Sequence, residues 1–336
     1  MKKVGYGQRG QILSGSEGKA EEFRIMASSD LHYLSPVLME YSGAFRSMCE
    51  ALQEPEMEKI ESLMDHLFKQ VLLQMPDIYL ITGDLSYQGE KMSHLGLAAG
   101  LEKLVRAGIH VYVVPGNQDV ENPFSMCWKP EGEKEYTPAE SVSAREFQWI
   151  YREMGYGRTD SSIVNRAPDS LSYHVCLQKG KEELHLFMLD TTIYQMPQGE
   201  IAPGTLGWLE QQLKEISGGR MIFRRKKPAE QEKKISCLIA GHHPMLPFGE
   251  NPQQDYILKN SSDLCRLMRQ YQVPLYVSGH LHRAGIAQAE KSDDGIRKWF
   301  EKQPVNISLE KRGLHSVTYR EFSCRKFLCR ESESDS

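Results

Sequence analysis

The sequence predicts an α/β fold built around a parallel, two-faced sheet. Three observations lead there. Short apolar runs at 23–28, Ile78–Thr82 and His110–Val114 alternate with segments of helical period. Each run is followed at once by residues that bind metal well. A content of 40% hydrophobic residues in a chain of 336 is enough for a full core.

The elements follow in order. Residues 23–28 read as a buried opening strand. Ile60, Leu63, Met64, Leu67, Phe68, Val71 and Leu72 keep helical spacing until Pro76. Ile78–Thr82 is the next strand. Leu97, Leu101, Leu104 and Val105 mark a second helix, stopped by Gly108, and His110–Val114 is a third strand. This βαβαβ rhythm argues for parallel strands with helices on the faces. It breaks over 121–169, an insertion and candidate lid, with a helix expected to start at the Thr137-Pro138-Ala139-Glu140 capping box. Trp128 and Tyr136 in that insertion are read as packing residues. Strands at 171–177 and 184–190 form a hairpin, and a helix follows at 204–216. A basic surface loop at 220–234 leads into a strand at 235–240, a helix at 261–271 and a strand at Leu275–Ser278. The expected organisation is a loose arm (1–22), one domain (23–290) and a divergent tail (291–336) with a polar end.

The formal net charge is −4, which points neither to nucleic acid nor to an anionic membrane, so no stable nucleic-acid partner is expected. Seven scattered cysteines fit a reducing compartment. No run reaches membrane-spanning length and no leader pattern opens the chain, so a cytoplasmic location is expected.

Five motifs stand at the ends of the apolar runs: Asp30-Leu31-His32, Gly83-Asp84, Gly116-Asn117-Gln118-Asp119, Gly241-His242-His243 and Gly279-His280-Leu281-His282. Alone, each is ordinary turn chemistry. Together they share one place, because ligands gather at the carboxyl ends of strands in open α/β sheets. Residues two apart on an extended segment face the same way, so one ion can take both Asp30 and His32. The Asp84 carboxylate can bridge two cations, and Asn117 offers a neutral amide oxygen. One histidine of His242-His243 suffices as a ligand; His242 is chosen, with His243 lining the pocket.

In this order the motifs resemble the calcineurin-like metallophosphoesterase family, over about 23–285, with 82–91 and 115–123 similar to a bacterial branch. The resemblance implies a four-layer α/β/β/α sandwich of two mixed sheets, in place of the doubly wound sheet. It implies one metal ion held by Asp30, His32 and His282, a second held by Asn117, His242 and His280, and Asp84 between them. Mixed nitrogen and oxygen donors suit Mn, Fe or Zn. The implied activity is hydrolysis of a small phosphoester, as a phosphodiesterase or broad phosphatase, by a hydroxide shared between two ions. Catalysis would be carried by Asp84, Asn117, Gln118, Asp119, His243 and Arg283. One position departs from the family: Gln118 stands where a histidine is usual. Glutamine donates a hydrogen bond but cannot deliver a proton. The alternative is therefore a metal-binding regulatory protein on the same scaffold, with weakened catalysis.

Overall fold

A computed structural model describes residues 22–40, 43–129, 135–157, 162–194, 196–224, 233–247, 256–288, 305–309, 311–318 and 323–326. The elements are β1 (Ile25–Ser28), α1 (Gly43–Ala51), α2 (Ile60–Gln74), β2 (Ile78–Thr82), α3 (Lys91–Arg106), β3 (His110–Val114), β4 (Met126–Cys127), β5 (Thr137–Pro138), α4 (Ala144–Ile150), β6 (Ile163–Arg166), β7 (Tyr173–Lys179), β8 (Glu182–Leu189), α5 (Pro203–Arg224), β9 (Lys234–Gly241), α6 (Ser261–Gln270), β10 (Leu275–Ser278), β11 (Gly285–Gln288), β12 (Val305–Ser308), β13 (His315–Thr318) and β14 (Ser323–Lys326).

Two mixed sheets carry the molecule, ordered β14-β13-β1-β2-β3 and β11-β12-β10-β9-β8-β7-β6. Within the first, β1, β2 and β3 are parallel and β13 is antiparallel to β1. Every residue of β2 is buried, as expected of a strand covered on both faces. Side-chain alternation sorts the second sheet between two cores. Leu184, Leu186 and Met188 of β8, Leu238 and Ala240 of β9, and Leu275 and Val277 of β10 join one core with residues of the first sheet, α2 and α3. Phe187, Leu189, Cys237, Ile239 and Tyr276 point the other way, onto Trp208, Leu209 and Leu213 of α5 and Leu264, Leu267 and Met268 of α6. The result is the α/β/β/α sandwich. No helix among the described residues is long and apolar enough to cross a membrane.

Three expectations are corrected. The capping box lies at Ser143 and Glu146, not at Thr137 and Glu140. Ser143 Oγ accepts from Glu146 N (3.3 Å), and Glu146 Oε2 accepts from Ser143 N (2.9 Å). Thr137–Pro138 instead pairs with Met126–Cys127, and the Glu140 carboxylate is taken by Lys91 (2.5 Å). The stretch expected as a surface loop at 220–234 is helical through Arg224, continuing α5 past Gly218 and Gly219. The stretch read as a tail also supplies strands to both sheets: β12 lies between β10 and β11, and β13 pairs with β1. Residues 1–21 of the expected arm (1–22), 225–232, 289–304 and the polar end lie outside the described residues.

Ile307 of β12 is fully buried in the shared core. Its truncation, Ile307→Ala, should cost about 2–5 kcal/mol of unfolding free energy in urea. A loss under about 0.5 kcal/mol, the usual effect of a surface substitution, would mean that this segment is not packed.

Candidate metal centre

Five loops meet where the carboxyl ends of the two sheets adjoin. Parallel register sets Ser28 beside Ile81, Thr82 beside Val114, and Leu189 beside Gly241. The loops after β1 and β2 continue this pairing beyond the strands: Asp30, His32 and Tyr33 donate their backbone N–H groups to Gly83 O, Asp84 O and Leu85 O at 2.9–3.0 Å. Asp30, His32, Asp84, His280 and His282 all adopt positive φ, between 43° and 69°. Such strain outside glycine persists only where surrounding contacts enforce it. Gly116 is required for a different reason. A Cβ there would lie 2.2 Å from both the backbone nitrogen and Oδ1 of Asp84.

The carboxylate of Asp84 stands at the centre. Its Oδ1 accepts the Gln118 N–H (3.0 Å). Its Oδ2 faces His242 Nε2 at 3.5 Å on one side and His32 Nε2 at 3.8 Å on the other. A single oxygen, not one oxygen per side, therefore looks toward both donor groups. On the His32 side, His32 Nε2 lies 3.1 Å from His282 Nε2, which is 3.5 Å from Asp30 Oδ1. On the other side, His242 Nε2 lies 3.1 Å from Asn117 Oδ1 and 3.2 Å from His280 Nδ1. Asp30 is aimed by the backbone N–H of His280, 3.0–3.1 Å from its two oxygens.

These donors fit metal ions. His242 Nδ1 lies 2.8 Å from Thr82 O and must donate to it, which leaves a lone pair on Nε2 pointing at amide and carboxylate oxygens. Letting His280 Nδ1–H donate to His242 Nε2 strands His280 Nε2, which has no partner. Positive charge reconciles these contacts, either a second proton on His242 Nε2 or an ion inside the cage. Burial pushes His32 and His280 down to about 4, so both are neutral imidazoles, the form a metal requires. Burial opposes charge on His242 too, but Asp84 overrides it and raises that imidazole to about 9.

The other site residues divide. His243 does more than line a wall: its ring joins His242 and His280 in a cluster of nitrogens within 4.8 Å of one another. Its Nδ1 meets Thr191 Oγ1 (2.9 Å), and its Nε2 is buried without a partner. Asp119 is not placed to act on a substrate. Its buried carboxylate accepts from the backbone of Leu85 (3.0 Å), Ser86 (2.9 Å) and Gly116 (2.8 Å) and from Ser86 Oγ (2.8 Å), so it ties the Asp84 and Asn117 loops together. Gln118 is half-buried, and its Oε1 accepts from Asn122 Nδ2 (3.1 Å), which leaves its amide NH₂ as a donor. Arg283 is exposed.

Sequence reasoning missed the supports. Thr82 and Thr191, at the ends of β2 and β8, orient His242 and His243, and position at a strand end was the available signal. Buried His94 bonds Ser86 Oγ (3.1 Å) and Asp119 O (2.9 Å). Arg312 braces the Asp30 loop from the chain's far end, donating its backbone N–H to Ser29 O (3.1 Å) and its Nε to Leu31 O (2.9 Å). No local pattern announces a contact across 281 residues. In the insertion, Trp128 and Tyr136 pack on each other with ring centroids 5.2 Å apart.

The chain belongs to the calcineurin-like phosphoesterase family, whose model matches residues 23–284. It is similar to a cAMP/cGMP dual specificity phosphodiesterase of Mycobacterium tuberculosis (strain CDC 1551 / Oshkosh), 24% identical over 219 residues. That match covers 63% of this chain and 61% of the relative. A dimetal phosphatase from Danio rerio superposes with a TM-score of 0.49 at 13% identity, covering 88% of this chain and 92% of that one. A purple acid phosphatase from yellow lupin (Lupinus luteus) seeds gives 0.40 at 11% identity, covering 92% and 46%.

Beside the centre lies Glu90, fully buried, with neither carboxyl oxygen in a well-formed hydrogen bond. Burial raises it from 4.5 to about 7. The folded state thus holds a proton that the unfolded chain releases between those values. Its contribution to stability is complete below pH 4.5 and is lost as pH rises through 7. Glu90→Gln should therefore flatten the fall in melting temperature between pH 5 and 7 and stabilise the protein at pH 8 by an amount on the order of 3 kcal/mol. An unchanged slope would show that Glu90 titrates normally.

Proposed function

We propose that this protein hydrolyses small phosphoesters at a dinuclear metal centre. The observation that carries this reading is the single oxygen of Asp84 set between two donor groups. Asp30, His32 and His282 would hold one ion; Asn117, His242 and His280 would hold the other, with His243 beside them. The donor chemistry suits Mn, Fe or Zn. When bound, two such ions supply the Lewis acidity that activates water and neutralises phosphoryl charge.

The chain's own residues do the rest. Asp84 fixes the spacing of the two donor groups, and the Gln118 N–H keeps its second oxygen occupied. Thr82 O and Thr191 Oγ1 hold the His242 and His243 rings in fixed orientations. The free NH₂ of Gln118 can donate a hydrogen bond to a substrate oxygen, and exposed Arg283 adds positive charge at the rim. No proton reaches the leaving group from Gln118, so esters with good leaving groups are the better substrates. Phosphodiesters, including cyclic nucleotides, fit the similarity to the mycobacterial phosphodiesterase. A second reading, a metal-binding regulatory protein with little turnover, is favoured by Gln118 alone.

Metal content and turnover of bis-p-nitrophenyl phosphate and p-nitrophenyl phosphate with Mn²⁺ separate the two. Hydrolysis of either supports the enzyme; stoichiometric metal without turnover supports the regulatory reading. Asp84→Ala should lose bound metal and activity together, and retained activity would contradict its central role. Gln118→His should raise turnover of alkyl phosphoesters about a hundredfold or more, within the ~10²–10⁴ range of general-acid help. It should change aryl ester turnover far less. Equal effects on both would show that leaving-group protonation is not what Gln118 lacks.

A further inference from the structure

Away from this centre, the outer face of β7 and β8 carries a second group of metal-binding side chains. Antiparallel register sets Cys176 opposite His185, with Glu183 two residues along the same face. One donor atom from each of the three lies within 4.8 Å of the others. The His185 ring is fixed from behind. His174 Nδ1 lies 3.3 Å from Gln212 Oε1, so it donates there, and His174 Nε2 is then the acceptor for His185 Nδ1–H at 2.9 Å. This chain of tautomers aims the lone pair of His185 Nε2 at Glu183 Oε1, 3.1 Å away. Either a proton or a metal ion can join these two atoms, and an imidazole oriented through its other nitrogen is the usual arrangement of a metal-bound histidine.

We infer that Cys176, Glu183 and His185 form a separate binding site for a zinc-type transition metal ion. A thiolate, an imidazole and a carboxylate are the donor mixture such an ion prefers, and three protein donors leave one tetrahedral position for water. Without metal, burial and the neighbouring Glu183 carboxylate keep the Cys176 thiol protonated. Binding therefore releases the thiol proton as the sulfur–metal bond forms. Lys233 Nζ holds the far oxygen of Glu183 at 2.9 Å, but its side chain is 53% exposed, and such a surface pair gives way at little cost. The ion would staple the hairpin whose far end, past Leu189, carries the Thr191 that orients His243.

The full chain, stripped with chelator and reloaded with Co²⁺, tests this. The residues assigned to the dinuclear centre include no thiol, so a near-ultraviolet thiolate-to-cobalt charge-transfer band reports the hairpin site alone. We expect the band in the unaltered protein, its loss in Cys176→Ser, and its weakening in Glu183→Gln. Metal content should fall by one ion per chain in Cys176→Ser, with the melting temperature of the metal-free protein unchanged. Absence of the band in the unaltered protein would overturn the proposal and leave a proton between His185 and Glu183. A band that survives in Cys176→Ser would also overturn it, because another thiol would then be the ligand.

Discussion

Like-polar atoms held face to face are the constraint on which the rest of this structure depends. Asp84 Oδ2, His242 Nε2 and Asn117 Oδ1 stand within 3.5 Å contacts, and no assignment of neutral tautomers satisfies them all. With a neutral His242 and no ion, such a cluster would spread apart. It is kept together by the backbone: five residues at positive φ, loop pairing that extends the parallel ladder, and a close approach that only a glycine at 116 allows. The strain of these loops is the counterpart of a cage built for positive charge.

The fold explains how that strain is borne. The two sheets share one apolar core, and their carboxyl ends open onto the same space, so residues separated by some 250 positions meet there. Asp119 and Arg312 hold the loops from opposite directions. The first gathers N–H groups from two loops onto one carboxylate; the second ties the loop of Asp30 to the chain's last strands. Removing either support would loosen donors it never touches.

Much of the centre was legible in the sequence, because parallel strands buried on both faces stand out as apolar runs and ligands collect at their carboxyl ends. Other features were not. β12 reads Val-Asn-Ile-Ser, too short and too polar to show as a strand, because the buried amide of Asn306 bonds the backbone of Met245 (2.8 Å) and Leu246 (3.1 Å). Asp119 sits in a motif that suggests a catalytic acid, yet its partners Leu85 and Ser86 lie more than thirty residues upstream, and only the folded chain reveals them. The Thr137–Glu140 pattern matched a capping box, but Lys91 on another element claimed Glu140. In each case a contact distant in sequence overrode a local rule.

The central claim is that the Asp84 oxygen lies between two metal ions. Crystals soaked in Mn²⁺ and measured for anomalous scattering test it directly. Two peaks about 3.5–4 Å apart are expected, on either side of Asp84 Oδ2, one beside His32 and one beside His242. A single peak, or peaks that leave Asp84 uncoordinated, would contradict it.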